Sequence, residues 1–292
     1  MRRVVCAGLL VSLASIASAN NFTNNIMITG YWPPTNNMVR DFSPNPDQNN
    51  GQWLGGNWEG RGYNIYSYFP EFPGQTGPSW GKGVGDFEVD YQKTSADWHR
   101  ITDQIKPVAI ITFSRAQNNF EWRLEGGNRM YAESQWTPDY QAPTRPGSDL
   151  PIMQALAPGT ELFSTLPIPE IMANVGAQVP GVNPTTVPVD NGRFLSNFIG
   201  LHGNWYHELN NDPSAEYRNF AAGHIHVGFA MSPQQALDAT LVTLRTLTDH
   251  LDLIGAPAPS SAAALALGGL VLTRRRRPLC GREQERVEQS SR

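Results

Sequence analysis

The 292-residue sequence has two cysteines, Cys6 and Cys280, one near each end. The stretch between them holds none, which excludes a disulfide framework, a thiolate metal site and a thiol nucleophile there. Charge is also scarce: Asp, Glu, Lys and Arg make up 16% of the residues, and the formal net charge is −4. That balance gives no electrostatic case for nucleic acid as a partner. The six histidines fall in no HExxH or similar pattern, so neither metal nor other cofactor is expected. Also missing are a GxSxG elbow, a Walker loop, a dinucleotide-binding glycine fingerprint and an EF-hand loop. What is present is a body with 40% apolar residues overall, enough for one domain with a real core at this length. Gly and Pro are spread along it, as in long surface loops.

The ends have their own character. Residues 1–19, MRRVVCAGLLVSLASIASA, run from Arg2 and Arg3 through an apolar stretch to Ala17-Ser18-Ala19. That is the order of a secretory signal peptide with an A-x-A cleavage site. The sequence therefore predicts an exported protein: periplasmic, cell-surface or extracellular. At the other end, APAPSS (256–261) leads into AAALALGGLVL (262–272) and then Arg274–Arg277. The apolar run is about half of what spans a bilayer. A proline-containing start, a short apolar run and an arginine cluster resemble the PEP-CTERM class of bacterial sorting tails. The resemblance implies sorting and processing machinery as a partner. Members of that class typically end at the arginines, whereas PLCGREQERVEQSSR follows here. The expected organisation is a signal peptide over 1–19, one α/β domain over 20–255 and a sorting tail over 256–292.

Strand and helix signals alternate along the body. NIMITGYWPP (25–34) is an apolar run closed by glycine and two prolines, a buried first strand entering a loop. Residues 35–90, rich in Asn, Gly, Trp and Pro, show no clean period beyond a strand at 62–68. SADWHRITDQIKP (95–107) has helical spacing, with Ser95 as candidate N-cap and Pro107 as a stop. VAIITFS (108–114) is the strongest strand signal, and the stretch after it to about 147 has loop composition. A strand or loop followed by a helix is expected over 160–178, a short strand over 185–190 and a helix over 192–209. A strand over HIHVGFA (224–230) and a helix over 232–251 complete the pattern. The last helix has Ser232 as its cap, Pro233 at its first position, and Ala236, Leu237, Leu241, Leu244 and Leu247 at helical spacing. Such alternation predicts an α/β fold with a largely parallel sheet, its functional groups gathered at strand carboxyl ends and the helix starts that follow. The eight tryptophans follow no repeat, which suits core and loop packing rather than carbohydrate stacking.

In VDNGRFLSNFIG (189–200), Ser196 sits in the first turns of a helix, where the positive helix end favours an anionic nucleophile or an oxyanion. His224 and His226 flank Ile225 and share one face of their strand. A pair at that spacing also binds metal, but no third ligand in a matching motif accompanies it. Glu121 and Glu125, in NNFEWRLEGGNR, are the acids available to orient a histidine, though loop carboxylates of this kind are commonly just solvated. Serine, histidine and glutamate near the ends of different strands offer a nucleophile, a base and an orienter.

These segments resemble the pyroglutamyl peptidase I (pyrrolidone carboxyl peptidase) family. NIMITGYWPP resembles the family's opening TGFxPF turn, and FSTLPI (163–168) matches a segment leading into a helix. VPVDNGRFLSNFIG resembles the nucleophile segment S-x-x-AG-x-F-x-CN, AGHIHVGF (222–229) the F-x-HVP segment, and ALDATLVTLRTL the closing helix. The anchors occur in family order between about 25 and 250. The fold implied is a three-layer α/β/α sandwich around a central, mostly parallel sheet. The resemblance implies Ser196 at the position of the cysteine nucleophile, His226 as the histidine, and Glu125 as the glutamate with Glu121 as the alternative. It implies Tyr31, Phe194 and Leu195 as the substrate pocket, a peptide or small amide as substrate, and no cofactor. The sequence departs from the family where AGGR reads AQNN, where Pro34 replaces a pocket phenylalanine, and where Gly228 replaces the proline after HV. Two functions follow. One is an exported hydrolase removing an N-terminal pyroglutamyl or similar residue by Ser-His-Glu chemistry; the other is a catalytically inactive binding protein of the same fold on the cell surface. A structural surface protein identified by its tail is a third.

Overall fold

The computed structural model describes residues 22–74, 80–116 and 118–256. The expected signal peptide, and the sorting tail beyond Ala256, lie outside these residues. In chain order the elements are β1 (Asn25–Thr29), α1 (Pro33–Val39), β2 (Asn64–Tyr68), β3 (Pro70–Glu71), β4 (Val84–Gly85), α2 (Tyr91–Ile105), β5 (Ala109–Arg115), β6 (Glu121–Glu125) and β7 (Gly127–Arg129). There follow α3 (Pro151–Ala155), β8 (Glu161–Phe163), α4 (Ile168–Gln178), β9 (Asn183–Val187), α5 (Leu195–Asn210), β10 (Ala221–Val227) and α6 (Pro233–Leu253).

Six strands form the central sheet in the order β2-β1-β5-β10-β6-β9. The first four run parallel, β6 is antiparallel to β10, and β9 is parallel to β6. The sheet is therefore mostly parallel with two reversed strands at one side. Because strand side chains alternate between faces, each strand feeds two cores. Ile26, Ile28, Ile111, Phe113, Trp122 and Leu124 pack on one face against Met38, Ile171, Val175, Leu244 and Leu247 from α1, α4 and α6. On the other face Met27, Ile110 and Ala222 pack against Trp98, Ile101, Phe198 and Leu201 from α2 and α5. That second face turns polar toward the carboxyl ends of β5 and β10, where Thr112, Ser114, His224 and His226 are all buried.

Several elements differ from the sequence expectation. Helix α2 starts four residues early, at Tyr91, because the Asp90 side chain accepts a hydrogen bond from the Lys93 N–H at 2.8 Å and caps it. Ser95 lies inside the helix, buried, with its hydroxyl 3.3 Å from His202 Nε2. Within the stretch of loop composition after β5, EWRLE forms β6 and GNR forms β7. Helix α5 starts at Leu195, after residues 188–194 have turned the chain away from reversed β9. The closing helix has the expected Ser232 cap, which accepts from the Gln235 N–H.

Both ends of the described chain lie beside the amino ends of the parallel strands. The Thr23 hydroxyl donates to the Lys106 carbonyl at 2.6 Å, just before β5, and Phe22 packs edge-on against Phe220, just before β10. The Tyr63 hydroxyl, just before β2, donates to the Ala256 carbonyl at 3.0 Å.

One side chain ties the start of α5 to β7, which pairs with β8 in a separate two-stranded sheet. Asn197 accepts from the Arg129 N–H at 3.1 Å and donates to the Arg129 carbonyl at 2.7 Å, fully buried. Asn197→Ala leaves both backbone groups unpaired, and a loss of about 2 kcal/mol is expected. Urea unfolding checks this as a lower midpoint at unchanged slope; an unchanged midpoint would show that the tie carries no stability.

Candidate active site

The site starts from strand register. His224 and His226 point to the same face of β10, and β5 lies in parallel register alongside, with Thr112 opposite His224 and Ser114 opposite His226. His224 Nδ1 lies 2.7 Å from the Thr112 hydroxyl and its Nε2 lies 2.7 Å from the Ser114 hydroxyl. His226 Nδ1 lies 2.8 Å from the Arg115 carbonyl and 3.0 Å from the Ser114 hydroxyl. A carbonyl only accepts, so His226 Nδ1 carries a proton. The Ser114 hydroxyl can then donate to His224 Nε2, and His224 Nδ1–H to Thr112.

On the other side of β10 comes β6, whose antiparallel register sets Glu125 opposite His224 and Arg123 opposite His226. Glu125 reaches diagonally to His226, and its Oε1 contacts His226 Nε2. Asp190 Oδ2 stands 3.9 Å from the same nitrogen. The second Glu125 oxygen accepts from Asn128 Nδ2 at 2.8 Å, and Asn128 in turn accepts from Asn204 of α5 at 2.9 Å. Glu121, the other candidate acid, is engaged elsewhere: it accepts from the Thr185 hydroxyl at 2.6 Å and from Asn118 at 3.1 Å.

Electrostatics separates the two histidines. Burial alone lowers a histidine pKa. For His226 the effect of burial is outweighed by Glu125 and Asp190, which raise its pKa to about 9. Among the described residues no acid forms an ion pair with His224. Burial and the neighbouring His226 charge push its pKa well below the usual range, so it stays neutral. Burial raises the Glu125 carboxyl, with His226 offsetting part of the effect. Burial also works against ionised Asp190, but its interactions with His226 prevail and lower its pKa to about 2.

Ser196 lies at the second position of α5. It opens on a cavity of about 290 Å³ that Tyr31, Phe194, Leu195, Ser114 and Arg115 also line. Every pocket residue expected from the sequence therefore faces one space. The N-cap of α5, Phe194, makes no side-chain hydrogen bond to the first turn, leaving that turn's amide N–H groups available to an anion. Tyr31 is anchored by a hydrogen bond to Thr94, and burial keeps its phenol neutral. Among the described residues no hydrogen bond joins Ser196 to His226; the hydroxyl in contact with the imidazole is that of Ser114. In the sequence Ser114 stands only as the end of the VAIITFS strand signal, and Asp190 only within the segment VDNGRFLSNFIG that leads to Ser196. A polar residue closing an otherwise apolar buried strand was the signal for Ser114.

Glu125, His224 and His226 could also be read as metal ligands, since one donor atom of each lies within 4.8 Å of the others. Two zinc ligands at bonds of about 2 Å stand at most ~4 Å apart. Both nitrogens of His224 are hydrogen-bonded to hydroxyls. The donor set is better matched to protons than to an ion.

No protein-family model matches the sequence, and no curated protein matches it. Solved structures do resemble it. A variant of pyrrolidone carboxyl peptidase from the hyperthermophile Pyrococcus furiosus is 18% identical over 78% of this chain and 99% of that one, with a TM-score of 0.53. The pyrrolidone carboxyl peptidase of Thermococcus litoralis is 16% identical over 79% of this chain and 96% of that one, also with a TM-score of 0.53. At such identities the likeness is one of fold: this chain shares the α/β fold of those peptidases.

The buried imidazolium makes stability depend on pH. His226 holds its proton up to about pH 9 when folded and to about 6.5 when unfolded. Its contribution is therefore complete below about pH 6.5 and lost as pH rises through the folded value. Stability is expected to fall by on the order of 3 kcal/mol across that window. Denaturant titrations from pH 6 to 10 check it, and His226→Gln should flatten the decline; a decline of equal size in the variant would assign it to other groups.

Proposed function

We propose that this protein is an exported peptidase-like hydrolase that removes an N-terminal pyroglutamyl or similar residue, with Ser196 as nucleophile, His226 as base and Glu125 as the acid that orients it. The observation that carries this reading is a serine in the uncapped first turn of α5, facing the same cavity as Tyr31, Phe194 and Leu195. The Ser114 and Arg115 lining of that cavity contacts the Glu125-paired imidazole. Export rests on the signal-like residues 1–19, and attachment or processing on the tail over 256–292.

In this chemistry Ser196 Oγ attacks the carbonyl carbon of the scissile amide and its proton passes to His226 Nδ1. Glu125 holds the opposite N–H and stabilises the charged ring. The developing oxyanion lies against the free amide N–H groups at the start of α5. Collapse expels the amine, which takes the proton from His226. Water, deprotonated by the same imidazole, then cleaves the acyl-serine ester and releases the acid. A serine needs a better-placed base than a cysteine does, so the Ser196–His226 contact has to form when substrate binds.

The second reading is a binding protein that keeps the pocket without turnover. It is favoured by the resting hydrogen bonds of His226 Nδ1, which go to Arg115 and Ser114 rather than Ser196.

Release of a fluorescent amine from a pyroglutamyl amide by the full-length protein decides between them. Under the hydrolase reading, Ser196→Ala lowers kcat/KM by roughly a thousandfold or more, and Ser114→Ala retains most of it. A silent parent that still binds the amide, with Ser196→Cys active, would establish the binding reading. Silence without binding in every variant would remove the pyroglutamyl ligand altogether. For an active parent, kcat/KM is expected to rise with pH to a limb near 9, because the base must first lose its proton. A flat profile between pH 7 and 10 would exclude His226 as that base.

A further inference from the structure

We infer that the cavity takes a ligand bearing a carboxylate, held by Arg115. This rests on the proposed function for the position of the scissile bond, and adds to it what lies beyond that bond.

Among the described residues, Arg115 is the one charged side chain lining the cavity; its other walls are largely aromatic, including Tyr31, Trp32, Trp80 and Tyr140. The guanidinium carbon sits 5.4 Å from the centre of the Trp32 ring and 5.3 Å from that of Phe229. Two aromatic rings within cation–π reach hold the long side chain in place without an acid, and its N–H groups remain hydrogen-bond donors. Arg40, Arg61, Arg100, Arg129 and Arg245 each meet a carboxylate within 3.6 Å. Arg115 has no such partner among the described residues. Its backbone is fixed, since β5 pairs it with Val227 and its carbonyl accepts from His226. A charged fork held at the edge of an apolar cavity, beside the base, matches a planar carboxylate on the ligand.

A pyroglutamyl ring carries no charge, so the carboxylate belongs to the part of the substrate after the scissile amide. Two sources share that chemistry: the free C-terminus of a dipeptide, or the acidic side chain of the second residue. The reading therefore narrows from any pyroglutamyl peptide to very short or acidic ones.

The experiment compares pyroglutamyl-alanine, pyroglutamyl-alanine amide and pyroglutamyl-glutamate amide. Hydrolysis is measured with the full-length protein and its Arg115→Gln and Arg115→Lys variants, and equilibrium binding is measured in the Ser196→Ala background. Benzoate and benzamide serve as a second pair of binding probes that lack the lactam. A charge-assisted contact predicts a preference for carboxylate over amide on the order of ten- to a hundredfold. Arg115→Gln should erase that acid-over-amide preference, whatever its effect on the absolute constants, and Arg115→Lys should keep part of it. Preference for pyroglutamyl-alanine alone assigns the carboxylate to the C-terminus; preference for pyroglutamyl-glutamate amide alone assigns it to the side chain. Equal handling of acid and amide by the parent, or a preference that survives Arg115→Gln, overturns the inference while the proposed function stands. If no pyroglutamyl peptide binds but benzoate does so in an Arg115-dependent way, the carboxylate site stands and the pyroglutamyl reading falls. If benzoate also fails, both fall.

Discussion

Burying the His226 imidazolium against the Glu125 carboxylate takes two ions out of water, a cost that only good geometry and further hydrogen bonds offset. Much of the surrounding structure serves that need. Arg115 offers its carbonyl to one ring nitrogen, Asn128 its amide to the second carboxylate oxygen, and Asn204 orients Asn128. Asn197 fixes the strand segment that carries Asn128. Gly200 stands where an added Cβ would come within 2.7 Å of the Asn128 side chain, so α5 approaches closely only because that position is glycine. One ion pair thus constrains β6, β7, β10 and α5 together, and α5 carries Ser196.

Most of this scaffold was legible in the sequence because the elements are locally marked. The β-branched run of β5, the Ser232 cap and the alternation of strands with helices are short-range signals. The site was legible in its members but not in its pairings. EWRLE alternates polar and apolar, and in the structure Trp122 and Leu124 enter one core while Glu121, Arg123 and Glu125 face the other way. That period of two was present, but the Gly- and Asn-rich surroundings masked it. The choice between Glu121 and Glu125 rests on which residue of β6 lies beside which residue of β10. Register between strands about a hundred residues apart is a tertiary property. The same holds for Ser114, which meets the histidines only because β5 and β10 are neighbours.

Departures from the family pattern have local physical reasons where the structure shows them. At 228 a glycine stands in place of proline, and its N–H donates to the Glu121 carbonyl at 2.7 Å. A proline has no N–H to give, and any Cβ there would meet the Asn119 carbonyl at 2.4 Å. The turn after β10 is therefore pinned to the start of β6 by a bond the family's residue could not make.

The entry and exit of the described chain lie together at the amino ends of the parallel strands, while Tyr31, Ser114 and Arg115 lie at the carboxyl ends of β1 and β5. Chain direction thus gives the molecule a front and a back. Residues 22 and 256, the first and last of the described chain, both lie at the back. The cavity mouth thus lies at the opposite end of the sheet from residues 22 and 256, so a contact made at either of those residues would leave it uncovered.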